Sequence, residues 1–173
     1  MTGRMLRRLC ALLALLLAAG AALAEPAMPR VAFEEGFAPY AGEWVRFDDG
    51  FKLYLPGDWV SFEISQDEAA AGMFYRAGDG DAGVCVMYMR AGGLGSLEDL
   101  AADFERAGCG GIELLDINGI PAVGLEREGD YRGAAFFHPV YPGFALVVLV
   151  SPPSGEAAKS ILSSLTPDNS ALE

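Results

Sequence analysis

The sequence predicts an α+β domain in which an antiparallel β-sheet of about six to seven strands is flanked by helices, and three observations carry that expectation. Asn118-Gly119 separates the runs 112–117 and 120–125, and Asn-Gly is the pair most favoured in a two-residue hairpin turn. Asp48-Asp49-Gly50 separates 44–47 from 51–55 in the same way. The segments 97–107 and 154–165 repeat apolar residues at three- and four-residue spacing, the mark of a helix with one buried stripe.

The chain opens with Arg4, Arg7 and Arg8, followed by an apolar run at 9–20 built almost wholly of Leu and Ala. Positive charge ahead of a short apolar helix is what a translocation channel reads. The run is shorter than the roughly 20 residues a membrane span needs. Ala22 and Ala24 place small residues at −3 and −1 of a cleavage site, so residues 1–24 read as a signal peptide cleaved after Ala24. An uncleaved anchor that also uses 19–24 is the competing reading. Cys10 lies before or within the run rather than after it, which removes lipid attachment. Nothing polar follows Arg7-Arg8 as a twin-arginine signal would need, so the general secretory route is expected.

With that segment gone, basic residues fall from 12 to 9 while all 24 acidic residues remain, so the mature charge is −15. About 149 residues are left of 173, one domain's worth with enough chain for a proper core. Such a charge repels nucleic-acid phosphates and anionic lipid surfaces. It attracts cations or basic partners, or simply keeps the protein soluble. The expected location is extracytoplasmic, secreted or periplasmic, with no membrane span after cleavage.

Residues 25–42 hold Pro26, Pro29 and Pro39 without a sustained period, so an irregular N-terminal segment is expected ahead of a single domain at 43–166 and a tail at 167–173. Within the domain, 44–47 and 51–55 form the first hairpin, and Pro56-Gly57-Asp58 turns the chain into a strand at 59–64. A short helical piece fits 66–72, an extended run 73–77, and Gly78-Asp79-Gly80-Asp81 turns into a strand at 84–90. Ser96 is placed as the N-cap of the first long helix, with Glu98 and Asp99 in its first turn and Gly108 at its end. After the Asn118-Gly119 hairpin come strands at 133–137 and 144–150. The run Val147 to Val150 is apolar without alternation, as a strand covered on both faces must be. A final helix at 154–165 stops at Thr166-Pro167.

The run Phe51-Lys52-Leu53-Tyr54-Leu55-Pro56-Gly57-Asp58-Trp59, taken with Ala71-Gly72-Met73-Phe74-Tyr75, Ile117-Asn118-Gly119-Ile120 and Ala158-Lys159-x-Ile161-Leu162-x-Ser164-Leu165, resembles the small exported proteins of the PsbP-like superfamily over about residues 43–166. The resemblance implies an α/β/α sandwich and an accessory or binding role rather than catalysis. It brings no catalytic residue with it, and a shared fold is weak evidence of function.

The chemistry-bearing residues are few. His138 is the single histidine. A serine triad would need a Gly-x-Ser-x-Gly presentation, which the chain lacks. Cys-x-x-Cys, His-Glu-x-x-His and glycine-rich phosphate loops are also missing. Asp79-Gly80-Asp81 and Asp48-Asp49 offer carboxylates to calcium, but an EF-hand counted from Asp79 meets Arg90 where its final Glu belongs, so turns are expected. No catalytic residue, cofactor or metal is assigned.

Cys85, Met87 and Met89 alternate along one strand and therefore share a face. With His138 they make the speculative ligand face for a soft ion such as copper(I); the alternative is ordinary core packing. A strand at 85–90 and a returning helix at 97–107 would bring Cys109 level with Cys85. The two are the candidate disulfide, and otherwise a pair of buried thiols. The aromatic residues Trp44, Phe47, Phe51, Tyr54, Trp59, Phe62, Phe74 and Tyr75 either line a binding groove or form the core. The expected function is an exported, non-catalytic binding or accessory protein acting through a protein partner, and the alternative is an extracytoplasmic protein that binds a soft metal or small ligand. A hydrolase with paired carboxylates has no motif behind it.

Overall fold

The computed structural model describes residues 28–127, 129–152, 154–168 and 170; residues 1–24, expected to be a signal peptide, lie outside them. In chain order the strands are β1 (Arg30–Val31), β2 (Gly42–Phe47), β3 (Phe51–Pro56), β4 (Val60–Ser61), β5 (Met73–Gly78), β6 (Gly83–Arg90), β7 (Gly110–Ile117), β8 (Ile120–Arg127), β9 (Tyr131–Phe137), β10 (Phe144–Ser151) and β11 (Thr166–Pro167). The helices are α1 (Gln66–Ala70), α2 (Leu97–Arg106) and α3 (Glu156–Ser163).

The strands form two sheets, an eight-stranded one in the order β1-β7-β8-β9-β10-β6-β5-β4 and a three-stranded one in the order β11-β3-β2. This corrects the expected single sheet of about six to seven strands. β1, β4 and β11 have two residues each, too few to show a period in the sequence. The split of β2 and β3 into a second sheet is a matter of packing, which local pattern does not encode. All pairings are antiparallel except β1 on β7.

Turn chemistry sets the hairpins. Asn118 and Gly119 have φ of +49° and +90°, the left-handed pair that matches the twist of the flanking strands. Asn118 also reaches outward: its amide nitrogen donates to Ser163 O at 2.7 Å and Leu165 O at 2.8 Å, and its oxygen accepts from Phe33 N at 3.1 Å. One turn residue thus ties the large sheet to the end of α3 and to the N-terminal segment.

The large sheet is covered differently on its two sides. On one, Phe51, Leu53, Leu55, Phe136, Leu146, Val148, Ile161 and Leu165 belong to a single core beneath the small sheet and α3. On the other, Leu100 and Ala101 of α2 meet Val123, Leu125, Ala135, Ala145 and Val147. The central strand β10 therefore sends Leu146, Val148 and Val150 one way and Ala145 and Val147 the other, which is why it reads as an unbroken apolar run. Helical cover is limited: α2 rests on β7 and β8, and toward the β5–β6 edge only the five-residue α1 lies against β5. Ser96 caps α2 by accepting from Asp99 N at 3.2 Å, as expected. Among the described residues no helix is long and apolar enough to cross a membrane.

Candidate functional site

At one end of the sandwich the β9–β10 connection meets the β2–β3 turn. Strand alternation sends Phe136 to the small-sheet side, Phe137 to the α2 side, and His138, one residue on, back toward the small sheet. Tyr88 of β6 points the same way and stacks near the imidazole, with ring centroids 6.1 Å apart. Asp49, lifted by the turn after β2, completes the group. Its Oδ1 accepts from Tyr88 Oη at 2.7 Å and faces His138 Nε2 at 3.0 Å.

The other ring nitrogen decides the tautomer. His138 Nδ1 accepts from the backbone N–H groups of Val140 at 3.0 Å and Tyr141 at 3.1 Å. It has no room for a proton, so Nε2 carries the hydrogen and donates to Asp49. Pro139 lacks an N–H, so the imidazole captures the first two donors the loop has. The His138 side chain is 1% exposed and that of Asp49 11%. Burial, and then the Asp49 hydrogen bond and charge, push the Tyr88 phenol well above its usual range, so it stays protonated as a donor.

What this buried group holds is an exposed apolar loop. Val140, Tyr141 and Phe144 are 43%, 59% and 39% exposed. The Tyr141 ring leans on His138 at 4.6 Å between centroids, and Phe144 meets Tyr88 edge-on at 6.5 Å. Beside the loop lies an apolar cavity of about 340 Å³, lined by Leu97, Ile120, Pro121, Phe136, Phe137 and Pro139 among others.

The structure separates the residues that the sequence grouped as one ligand face. Cys85, Met87 and Met89 do share a face, the α2 side, and Met87 and Met89 lie against its core. His138 is on the opposite side of the sheet, because residue parity along β9 puts it with Phe136 and Tyr88. Cys85 and Cys109 are free. The sheet places β10, β9 and β8 between β6 and β7, so α2 carries the chain across the sheet instead of returning it beside β6. Cys109 leads into β7, roughly 19 Å away at about 4.8 Å per strand, where a disulfide needs Cα atoms within about 7 Å. The Cys109 Sγ instead lies 3.8 Å from the Tyr131 hydroxyl.

Asp79 acts as a turn residue, accepting from Asp81 N at 2.9 Å and Ala82 N at 2.8 Å. Among the first-half aromatics, Phe47, Phe51 and Tyr54 are buried, while Trp59, Phe74 and Tyr75 pack against the core. Trp44 covers Tyr54, with ring centroids 5.4 Å apart. Phe62 alone of that set is counted exposed, with Arg76 over its ring at 5.2 Å. The sequence reading missed Asp49 as more than a turn residue, and missed Tyr88, Tyr141 and Phe144. The available signal was His138-Pro139 with Pro142-Gly143, a rigid loop placed between two apolar strands. Among the described residues no three His, Cys, Asp or Glu side chains converge as a metal site.

Comparison with solved structures brings a match to the solution structure of cyanobacterial PsbP (CyanoP) from Synechocystis sp. PCC 6803. The two share 13% identity and a TM-score of 0.52, over 76% of this chain and 95% of that one. The chain has a PsbP-like fold. At that identity the likeness speaks for the fold alone. No family model and no curated protein matches the sequence. The PsbP-like layers explain the site's position: the β9–β10 loop and the β2–β3 turn come from different sheets and meet only because those sheets stack.

Proposed function

We propose that this is an exported, non-catalytic accessory protein that holds a protein partner through the apolar end built around His138. One observation carries the reading: Val140 and Tyr141 project from a loop whose backbone is already tied to a buried imidazole, and Phe144, at the start of β10, is exposed beside them. A rigid aromatic anchor loses little conformational entropy when it enters a partner's pocket, and such residues dominate binding energy at interfaces. The adjoining cavity extends the apolar surface. The non-catalytic reading is supported by the fact that both ring nitrogens of His138 are engaged inside the protein, leaving no lone pair for a general base. Export is supported by the arginine-led apolar segment and the Ala22-x-Ala24 site.

The test is crosslinking in the producing cell from a photoreactive residue at position 141, with the same probe at Glu105 on α2 as control. Protein recovered from the extracytoplasmic fraction should begin at Glu25 and carry one discrete crosslinked partner from 141 that disappears with Phe144→Ala. Equal crosslinking from both positions, or none from 141, removes the docking role. A retained 1–24 segment removes cleavage in favour of an anchor, and absence of the protein from the extracytoplasmic fraction removes export.

A further inference from the structure

The register of β5 on β6 adds a fourth sulfur to those of Cys85, Met87 and Met89. Met73 is the cross-strand partner of Met87, and the register slips between Met73 and Tyr75. That bulge sends both Phe74 and Tyr75 into the small-sheet core and returns Met73 to the opposite face. There it lines a cavity of about 350 Å³ together with Cys85, Leu149, Tyr131 and Arg76. Met73, Cys85, Met87 and Met89 are all half-buried. Cysteine used as core filler is usually buried outright, whereas Cys85 and Met73 border the cavity, and Met87, opposite Met73, lies at the margin of the α2-side core.

Directly opposed strand residues have Cβ atoms about 5 Å apart, and Cys85 is two residues from Met87, about 7 Å along the same face. Methionine has three rotatable bonds, so two thioethers and one thiol can turn to a single point. Thiolate and thioether sulfur select soft cations, copper(I) first among them. Glu68, Asp81 and Asp130 stand around the same cavity and give its mouth a potential that draws cations. Arg76, the register partner of Cys85, is neutralised by Glu68 at 2.9 Å.

We propose that Cys85, Met73 and Met87 form a copper(I) site on the α2 side of the large sheet, between α1 and the α2-side core. On binding, the Cys85 S–H bond breaks, the proton passes to solvent, and a sulfur lone pair makes the S–Cu bond. The metal enters as copper(I), so no electron moves. The site is independent of the His138 end, on the other side of the sheet.

The test is an anaerobic titration of the purified protein against copper(I) bicinchoninate, read as loss of the coloured chelate. Wild type and Cys109→Ser are expected to withdraw one copper(I) per chain, and Cys85→Ser none. The double variant Met73→Leu/Met87→Leu, which keeps volume and so the fold, should bind at least about tenfold more weakly. X-ray absorption of the loaded protein should show sulfur neighbours only. The proposal fails if wild type leaves the chelate intact, if Cys109→Ser abolishes uptake, if uptake survives Cys85→Ser, or if the folded methionine double variant binds like wild type.

Discussion

Breaking the Asp49–His138 contact tests whether the exposed loop is held by the buried pair. His138→Ala removes a donor to Asp49 Oδ1 at 3.0 Å, frees the Val140 and Tyr141 N–H groups, and deletes a ring whose side chain is 1% exposed. A hydrogen bond to a charged group contributes about 1.5–3 kcal/mol; the freed loop amides reach water and lose less, so the total cost is about 3–5 kcal/mol. Asp49→Ala strands both the imidazole N–H and the Tyr88 hydroxyl. In a double-mutant cycle the pair itself should couple by about 1.5–3 kcal/mol. Urea unfolding with a slope of about 2 kcal/mol per molar would read that as a non-additive midpoint shift of about 1 M. Hydrogen exchange supplies a second readout: the Val140 and Tyr141 amides should lose protection in His138→Ala, while amides in the middle of β10 keep theirs. Coupling below about 0.5 kcal/mol, or unchanged protection at 140 and 141, would refute the clamp.

Two further outcomes are expected. Asn118→Ala gives up a left-handed turn residue and three hydrogen bonds, and should cost about 2–4 kcal/mol. Asn118→Gly keeps the turn and should recover only part of the loss in a thermal melt; full recovery would mean that the bonds to Ser163, Leu165 and Phe33 carry no stability. The Tyr88 phenol, pushed up by burial and by Asp49, keeps its proton in the folded protein at pH values where the unfolded chain has released it. Its contribution is therefore complete below about pH 10 and lost as pH rises through the folded value. Stability curves of wild type and Tyr88→Phe should converge in that alkaline range, and parallel curves would count against the assignment.

Much of the fold was legible because its signals are local. Asn118-Gly119 specified its turn through the φ values that only such residues adopt readily, and Ser96 its helix start through a side-chain oxygen placed for Asp99 N. The apolar run of β10 announced a strand with both faces covered. The two-residue strands and the second sheet stayed hidden, because two residues show no period. The candidate site was less legible. His138 stood out as the single histidine, but Asp49 is 89 positions away and reads locally as turn chemistry.

By itself, then, the sequence determined the acidic composition, the arginine-led apolar segment, the hairpins and the shared face of Cys85, Met87 and Met89, since each follows from composition or from the two- and 3.6-residue periods. Tertiary structure alone decided which strands are neighbours. By running α2 across the sheet it kept Cys85 and Cys109 apart; by the parity of β9 it put His138 on the face opposite the sulfurs; and by a bulge in β5 it brought Met73 to Met87. The physical reason is the same in each case. Side-chain direction is set residue by residue along a strand, but strand order and register are set by how two faces bury their apolar area at once.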